Sequence, residues 1–587
     1  MTPLLLLHLG YIVFLAIIIQ KYKKETAKVS LVEENPTVIP SSASIFVFRQ
    51  QDTTAYALWQ YLPTTFAVLL GLLWESVDVG VRLLEPYIQM AKEGGATVDN
   101  SLTLDYITMF TFYVPFRSAF RGHRVVLLSS LLYITAFTVI PAMSGALWTI
   151  NWASVDSVTD GPLYATLQIN ERVLIATCAL NGLVVLSGAI LLYTFFSRAL
   201  PLSRNPKSIG GVASLVCESP GVLNLFHQID SWGSTNLISS ALGQVRFFLQ
   251  PETITDFNGT RYTRLQITTN VPPNYQITPL QESGQTRRQA HGKWLSAKRV
   301  WASEIFFLMS NSIIVPAIGA GSYFVVDHDD YEKNVKPQVI KITYVVIISI
   351  SGALFQWIHR DIQIFQPYRR FLSPTPYQKF YDAVSREYIT LGQPLTTIKG
   401  LATHSYIVFM TALSSIIFLI ATIFFPIIFE LLFSILKELD PTNNADLPRL
   451  TDNMMDAYDQ QLPAGRVSYY RSLYYWAMAI HALLLINFIS ILATRQCRPF
   501  MPRQPTTIGS QILYVCNSRR LLGLMMATSC MNGKAWKESA GRVERSCWFG
   551  WWGDERGAYC GVEIVDSVVD NRIQGFVYSG QLPYSAH

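Results

Sequence analysis

The chain has 587 residues, of which 50% are apolar and only 15% are charged, and its formal net charge is +6. A soluble protein of this size could not easily keep so much apolar surface away from water, so the composition favours a membrane protein. The positive charge lies mostly in loops beside apolar runs, where positive-inside topology and anionic lipid account for it. The lipid bilayer is therefore the expected partner, and nucleic acid is not.

Apolar runs divide the chain into spans. A crossing of about 30 Å of hydrocarbon takes roughly 20 residues. Eight stretches meet this length: 3–20, 58–77, 125–148, 173–196, 300–325, 338–358, 403–435 and 472–494. The first lacks the basic start and the small-residue cleavage site of a signal peptide, so we expect a retained helix there.

Charge and cysteine predict the topology of these spans. The segments 78–124 and 359–401 are rich in Arg and Lys and belong in the cytosol, whereas 149–171 contains neither and faces outward. Both termini are then cytosolic, and we expect no structural disulfide because no cysteine faces an oxidising lumen. The three lysines that follow the first span at 21, 23 and 24 break the charge rule.

Several motifs occur twice in the same order, about 281 to 299 residues apart. Gly71–Trp74 corresponds to Gly352–Phe355, Leu84–Tyr87 to Phe365–Tyr368, Asp105–Thr108 to Glu387–Thr390, and Arg204–Ser219 to Arg503–Ser518. Four spans in each unit leave both units in the same orientation. The predicted fold is an all-α polytopic membrane protein of two parallel four-helix transmembrane repeats with small α+β cytosolic modules.

The predicted organisation follows from these spans and loops. It consists of a first transmembrane helix at 1–24, an outer linker at 25–56, repeat 1 at 57–198, cytosolic module 1 at 199–299, span 5 at 300–325, repeat 2 at 338–494 and a cytosolic C-terminal module at 495–587. Leu265–Thr268 and Cys560–Val565 have the pattern of short strands in these modules. An interfacial or partly re-entrant helix is expected near Leu104–Phe116.

Motifs in the first half resemble a known family. Leu62–Trp74, Leu84–Tyr87, Gly94–Thr97, Ser101–Tyr106, Val114–Phe116 and Pro206–Ser214 together resemble large fungal multi-pass membrane proteins defined by a tandem domain of unknown function, number 3433. The resemblance covers most of 57–230 and, more loosely, 338–525. It implies a fungal, polytopic protein at the cell surface, with the plasma membrane favoured over internal membranes. It implies no activity, so no functional residue is carried over.

Loop residues near the membrane have structural explanations. Pro86 and Pro367 are expected to end helices at the headgroup level, with a tyrosine beside each. An ion pair that holds an interfacial helix is favoured over a cation site for the charged loop residues. These residues are Asp105, Arg117, Arg121, Glu387 and Lys399.

Polar residues within spans are the candidates for a transport pathway. They are Asn181, Ser310, Asn311 and His481. Hydrogen bonding between helices and a neutral, satisfied histidine explain them more simply than a pathway does. No acid lies at the centre of a span, which argues against a pump coupled to protons or sodium.

Catalytic signatures are missing from the sequence. It contains no Gly-x-Ser-x-Gly, no phosphate loop and no His-Glu-x-x-His, and its tail cysteines lack the close paired spacing of zinc ligands. We therefore expect no enzyme, no metal and no cofactor. The favoured function is a non-catalytic scaffold or regulatory protein that binds cytosolic proteins through 199–299 and 495–587. The alternatives are a transporter or channel with a pathway between the repeats, and an accessory membrane protein of a biosynthetic pathway. A membrane enzyme would have to use Asp105, Arg117 and Arg121.

Overall fold

The structure is a computed structural model of the whole chain. It describes residues 1–32, 47–49, 53–154, 163–197, 208–229, 235–255, 261–271, 336–371, 391–418, 505–528, 545–554 and 557–566, together with a few single residues between these ranges. The described residues are mostly helical, with three small antiparallel sheets.

Within the part of the chain that the structure describes, three helical segments are long and apolar enough to cross a membrane. They are Thr2–Lys21 within α1 (Thr2–Val32), Arg124–Gly145 and α6 (Glu171–Ser197). They coincide with the predicted spans 3–20, 125–148 and 173–196. Helix α1 packs antiparallel to α6, since Leu5 lies at Gly188 and Lys23 pairs with Glu171 at 3.6 Å.

The middle segment is built of two α-helices joined by a π turn. Helix α4 (Arg124–Ile134) passes through the turn Thr135–Val139 into α5 (Ile140–Gly145). Pro141 at the start of α5 has no N–H to donate to the preceding turn. A π turn just before it takes up this interruption without ending the helix.

The two longest of the described helices are α2 (Thr53–Met90) and α10 (Lys336–Arg370). Helix α2 has 38 residues and α10 has 35, so at 1.5 Å per residue each exceeds about 50 Å. Their apolar parts are the predicted spans 58–77 and 338–358. The expectation that Pro86 and Pro367 end these helices is wrong, because both prolines lie inside them. Burial of the last turns in a protein core compensates for the lost backbone hydrogen bond.

A small sheet joins the ends of α5 and α6. The hairpin of β3 (Trp148–Ser154) and β4 (Leu163–Ile169) pairs with β1 (Val47–Arg49), in the order β1-β4-β3. The strand β1 belongs to the segment 25–56 and the hairpin to the segment 149–171. Their pairing places both segments on the same side of the helices.

Short elements connect α2 to α4. The strand β2 (Ala96–Thr97) pairs with a later strand, two single turns of 3₁₀ helix follow at Val98–Asn100 and Thr111–Tyr113, and α3 (Val114–Phe120) leads to α4. In the second half, α11 (Gln393–Ala402) leads to the apolar helix α12 (Tyr406–Phe418).

We call modules two groups of elements with a similar order, in which short helices are followed by an antiparallel hairpin. The first consists of α7 (Ile209–Val216), α8 (Pro220–His227), α9 (Thr235–Leu242) and the hairpin of β5 (Arg246–Thr255) with β6 (Arg261–Thr269). The second consists of α13 (Ile508–Val515), α14 (Arg519–Ala527) and the hairpin of β7 (Arg545–Asp554) with β8 (Gly557–Asp566). The predicted strands Leu265–Thr268 and Cys560–Val565 lie in β6 and β8.

Both modules use the same local chemistry. The side chain of Ser208 caps α7 by accepting from the N–H of Gly211 at 3.0 Å, and Thr507 caps α13 in the same way at 3.2 Å from Ser510. The modules share one hydrophobic core with each other and with the last turns of α2 and α10. They are therefore packed onto the ends of the long helices.

Candidate functional site

Glu75, Asp78 and Arg82 lie on one face of α2, toward the end that points to the modules. Glu75, Asp78 and Arg82 are spaced by three and four residues, which places them on the same side of a helix. Arg82 Nη2 lies 2.5 Å from Asp78 Oδ2, and both side chains are fully buried. Asp78 Oδ1 also accepts hydrogen bonds from the hydroxyls of Ser129 at 2.9 Å and Ser130 at 3.1 Å, both on α4.

Glu75 connects α2 with the second half of the chain. Its Oε1 lies 3.4 Å from Nη2 of Arg360 on α10, and its Oε2 accepts from Nε2 of Gln393 at 2.7 Å. A further bond crosses in the other direction, from the hydroxyl of Tyr133 on α4 to Oε1 of Gln356 on α10 at 2.7 Å. We call Glu75, Asp78, Arg82 and Arg360 the charged cluster.

The charged cluster balances two acids against two bases. Burial of a single charge would be very unfavourable, but pairing and hydrogen bonding to neighbouring groups offset much of that cost. Ser129 is five residues after the start of α4, so the cluster lies about 8 Å along the helix from Arg124. It therefore sits near one end of the apolar layer rather than at its centre.

A neutral polar network lies beside the charged cluster. Thr411 Oγ1 on α12 donates to the carbonyl of Ile407, so the 2.7 Å bond between His359 Nδ1 and Thr411 has the histidine as donor. His359 Nε2 is then free to accept from Nε2 of Gln363 at 2.8 Å. The histidine is neutral, with its proton on Nδ1.

Asn181, a predicted pathway residue, is fully buried and satisfied. The indole N–H of Trp74 donates to His8 Nε2 at 2.8 Å, so His8 Nδ1 donates to Asn181 Oδ1, also at 2.8 Å. Nδ2 of Asn181 donates to the carbonyl of Thr177 at 2.8 Å. This network links α1, α2 and α6 through complete hydrogen bonding.

The other predicted pathway residues, Ser310, Asn311 and His481, lie outside the described residues, as does Glu387 of the predicted ion-pair site. Asn181 is therefore the one predicted pathway residue that lies among the described residues. The structure instead brings together the charged cluster, most of which the sequence analysis did not single out.

The remaining members of the predicted ion-pair site make local contacts. Asp105 Oδ1 accepts from the backbone N–H groups of Ile107 at 3.0 Å and Thr108 at 3.1 Å, which is an Asx-type turn. Among the described residues, no ion pair joins Asp105 to an arginine.

The basic members of that site lie close by. Arg117 donates to the sulfur of Met109 at 3.2 Å, and Arg121 donates to the carbonyl of Asp99 at 2.6 Å. Lys399 lies over the ring of Tyr388, 5.5 Å from its centre.

A buried tyrosine and histidine also lie in this connecting region. Tyr106 Oη and His123 Nδ1 share a hydrogen bond of 2.7 Å. Burial, with the nearby charges of Arg121 and Lys92, lowers the pKa of His123 to about 4. Burial raises the pKa of Tyr106 to about 12. Both groups are therefore neutral near pH 7.

The sequence contained a signal for the charged cluster. The three charges on one face of α2 follow directly on an apolar run, and the same helical phase continues through Pro86. These charges lie toward the edge of the apolar layer, so a prediction based on polar residues at the membrane midplane does not include them. Among the described residues, no group of three His, Cys, Asp or Glu side chains could hold a metal ion.

Residues 57–149 match a protein family described as a protein of unknown function (DUF3433). The matched segment runs from α2 to the first residues of β3 and includes Glu75, Asp78 and Arg82. The match confirms the predicted domain of unknown function for that segment. Searches of curated proteins and of solved structures found no match.

Proposed function

We propose that the chain is a non-catalytic scaffold of a fungal plasma membrane, in which two repeated four-helix units hold a pair of cytosolic modules in fixed geometry. The fungal source and the surface location rest on the family resemblance. The scaffold role rests on one observation: the two modules share a single hydrophobic core with the last turns of α2 and α10. Such a core would present both modules to partners as one surface.

Equivalent positions within each unit support the repeat. The alignment of Gly71 with Gly352 places Asp78 opposite His359 and Arg82 opposite Gln363. In the first unit, Asp78 pairs with Arg82 one turn later and with serines of α4. In the second unit, His359 pairs with Gln363 one turn later and with Thr411 of α12. The side chains differ while the positions of the contacts agree.

Contacts between the units support the same relation. The alignment places Glu75 opposite Gln356. Glu75 accepts from Gln393 of the second unit, and Gln356 accepts from Tyr133 of the first unit. Each member of the pair thus reaches across to the other unit, as expected for two copies related by an approximate twofold axis.

The proposed orientation places the modules and both termini in the cytosol. Lys23 violates the charge rule in this orientation, but its ion pair with Glu171 gives it a partner at the outer end of α6. The side chains of Lys23 and Glu171 are 61% and 50% exposed, so the pair adds at most about 1 kcal/mol to the free energy of unfolding. The larger number of basic residues in 78–124 outweighs Lys23 in setting the orientation.

Photo-crosslinking tests the scaffold role on the full-length protein in its native membrane. A photoreactive phenylalanine analogue replaces Thr253 on β5 or Arg519 on α14, which are both exposed on the modules. The scaffold proposal predicts that both positions yield crosslinks to the same small set of proteins. The matched control is Arg172, which is exposed at the start of α6, away from the modules, and should not yield these crosslinks.

The result can contradict the proposal. If the two module positions give only crosslinks within the chain, or the same products as Arg172, the modules do not form a partner-binding surface. Crosslinks to lipid alone at both positions would also contradict it. Two measurements show that the substituted proteins are folded. One is expression at the membrane, and the other is slow hydrogen exchange of the backbone amides of β7, the strand that carries Phe549.

Transport between the two units is a second candidate, and the charged cluster favours it. Nε and Nη1 of Arg82 and Nε of Arg360 are buried and make no hydrogen bond with any described residue. Buried donors of this kind beside two carboxylates could face a solvated path when the units move apart. Water access to the contact between α2 and α10 therefore separates transport from scaffolding.

A further inference from the structure

Two short helices stand immediately before apolar helices and end in the same way. After α3, the N–H of His123 donates to the carbonyl of Ser118 at 2.9 Å, and Gly122 is left-handed with φ 71°. After α11, the N–H of Ser405 donates to the carbonyl of Gly400 at 2.8 Å, and His404 is left-handed with φ 53°. Both are Schellman caps, which stop a helix and redirect the chain.

The two short helices expose apolar faces. On and beside α3 the exposed side chains are Tyr113, Phe116 and Phe120, the last 91% exposed. Their spacing of three and four residues places them on one side of the chain. The opposite side, including Val114 and Ser118, is buried against the protein.

The face of α11 has the same character. Leu395, Ile398 and Leu401 are spaced by three residues and are each more than half exposed. Thr396 and Gly400 lie on the buried side. The offset of 282 between Asp105 and Glu387 places α3 opposite residues 396–402, which are most of α11, so equivalent segments present equivalent faces.

The charged side chains carried by these two segments are all basic. Arg117, Arg121 and Arg124 lie on or just after α3, and Lys399 lies on α11. The sequence contains no Asp or Glu between residues 106 and 124 or between 391 and 418. Apolar side chains with cations at their edge match the boundary between acyl chains and anionic headgroups.

The exposed face of α3 adjoins a segment that is long enough to cross a membrane, and this indicates that lipid covers the face. Helix α4 begins four residues after α3 ends, and its exposed Leu131 faces outward from the same bundle. The apolar surface thus extends from the short helix to a segment that is long enough to cross a bilayer. A bilayer that surrounds α4 reaches α3 as well.

We propose that α3 and α11 are paired interfacial anchors, whose exposed faces lie in the acyl–headgroup boundary of the cytosolic leaflet and whose cations bind anionic phospholipid headgroups. The anchors fix the depth of α2 and α10 in the bilayer and so keep the charged cluster just inside the boundary. The assignment to the cytosolic leaflet rests on the proposed orientation, whereas the interfacial depth of the two helices does not depend on whether the chain is a scaffold or a transporter.

Depth-dependent fluorescence quenching tests the position of α3. Phe120→Trp is reconstituted in nanodiscs of phosphatidylcholine and phosphatidylserine that carry bromine atoms either near the glycerol or near the chain end. Wild-type emission is subtracted to remove the native tryptophans. Bromine near the glycerol should quench the new tryptophan more strongly than bromine at the chain end. The control Val139→Trp, which lies inside the segment Arg124–Gly145 and away from both of its ends, should show the reverse order.

Other quenching results overturn the proposal. Quenching by aqueous iodide without quenching by bromine would show that the face is in water. Quenching by neither would show that a protein covers it. If Phe120→Trp disturbs folding, judged by size-exclusion profile and circular dichroism, Ile398→Trp on α11 provides the same test on the equivalent face.

A second measurement tests the headgroup chemistry. Native mass spectrometry counts phosphatidylserine and phosphatidylcholine retained from an equimolar mixture. Arg117→Gln with Arg124→Gln should weaken the preference for phosphatidylserine roughly 30-fold, which is the effect of two cations near the surface. Arg172→Gln at the opposite end of α6 is the control and should leave the preference unchanged. An unchanged preference in the double variant would overturn the assignment of anionic lipid.

Discussion

Arg360 on α10 lies 3.4 Å from Glu75 on α2, and this buried ion pair joins the two halves of the chain. The two residues are 285 positions apart in sequence. Around them, Gln393 and Thr111 supply further hydrogen bonds from each half. The contact between the long helices is therefore polar and specific.

Removal of one member of this pair should be strongly destabilising. Arg360→Gln leaves Glu75 buried without its cation, at a cost of about 3–5 kcal/mol in the free energy of unfolding. Glu75→Gln with Arg360→Gln should be less destabilising than Arg360→Gln alone, because both charges are gone. Thermal unfolding in detergent measures the difference. Lys23→Gln, which breaks the exposed pair with Glu171, is the control and should cost at most about 1 kcal/mol.

A close helix contact predicts an asymmetry between two glycines of α2. A Cβ on Gly71 would lie 2.9 Å from backbone atoms of Ala136 and Phe137 in the π turn, which cannot move aside cheaply. Gly71→Ala should therefore cost about 1–3 kcal/mol. Gly80→Ala, on the same helix with no atom within 4 Å, should stabilise by about 0.5–1 kcal/mol. Equal unfolding temperatures for the two variants would contradict this packing.

Burial of His123 predicts a pH dependence. Its folded-state pKa of about 4 lies below the unfolded value of about 6.5, so the unfolded chain binds the proton first. The stability from this group is fully present above about pH 6.5 and is lost as the pH falls toward 4. Unfolding temperatures of wild type and His123→Ser between pH 7.5 and pH 4 measure it. The variant should lose less stability than wild type over this range, and parallel curves would exclude the effect.

The shared core predicts that damage in one module spreads to the other. Phe549 on β7 is fully buried and contacts the rings of Tyr368 and Tyr514. Phe549→Ala should cost about 3–5 kcal/mol and increase hydrogen exchange in α7 as well as in β7. Met526→Ala, at an exposed position, is the control. Faster exchange confined to β7 and β8 would show that the modules are independent.

Hydropathy predicted three of the helical segments that the structure describes as long and apolar enough to cross a membrane. The spans at 3–20, 125–148 and 173–196 have a high mean hydropathy and few charges, so composition alone locates them. The short strands in the modules also followed from their residue pattern, since β6 and β8 lie where Leu265–Thr268 and Cys560–Val565 predicted. Local sequence was sufficient because these elements depend on their own side chains.

The continuation of α2 and α10 could not be predicted in the same way. In the sequence, the charges of Glu75, Asp78 and Arg82 interrupt the apolar run, and Pro86 predicts that the helix ends there. The helix persists because Arg360, Ser129 and Gln393, which are remote in sequence, satisfy the charges. Only knowledge of how the halves pack supplies that information.

Hydroxyl-radical footprinting of the native protein in lipid nanodiscs tests most directly whether the contact between α2 and α10 is sealed, as the scaffold proposal requires. Tyr133 lies at this contact and Tyr11 lies in α1, and both are buried, at 0% and 3% exposure. We predict that Tyr133 is modified as slowly as Tyr11. Modification of Tyr133 many times faster than Tyr11 would show a water-filled path between the two halves and would contradict the scaffold in favour of transport.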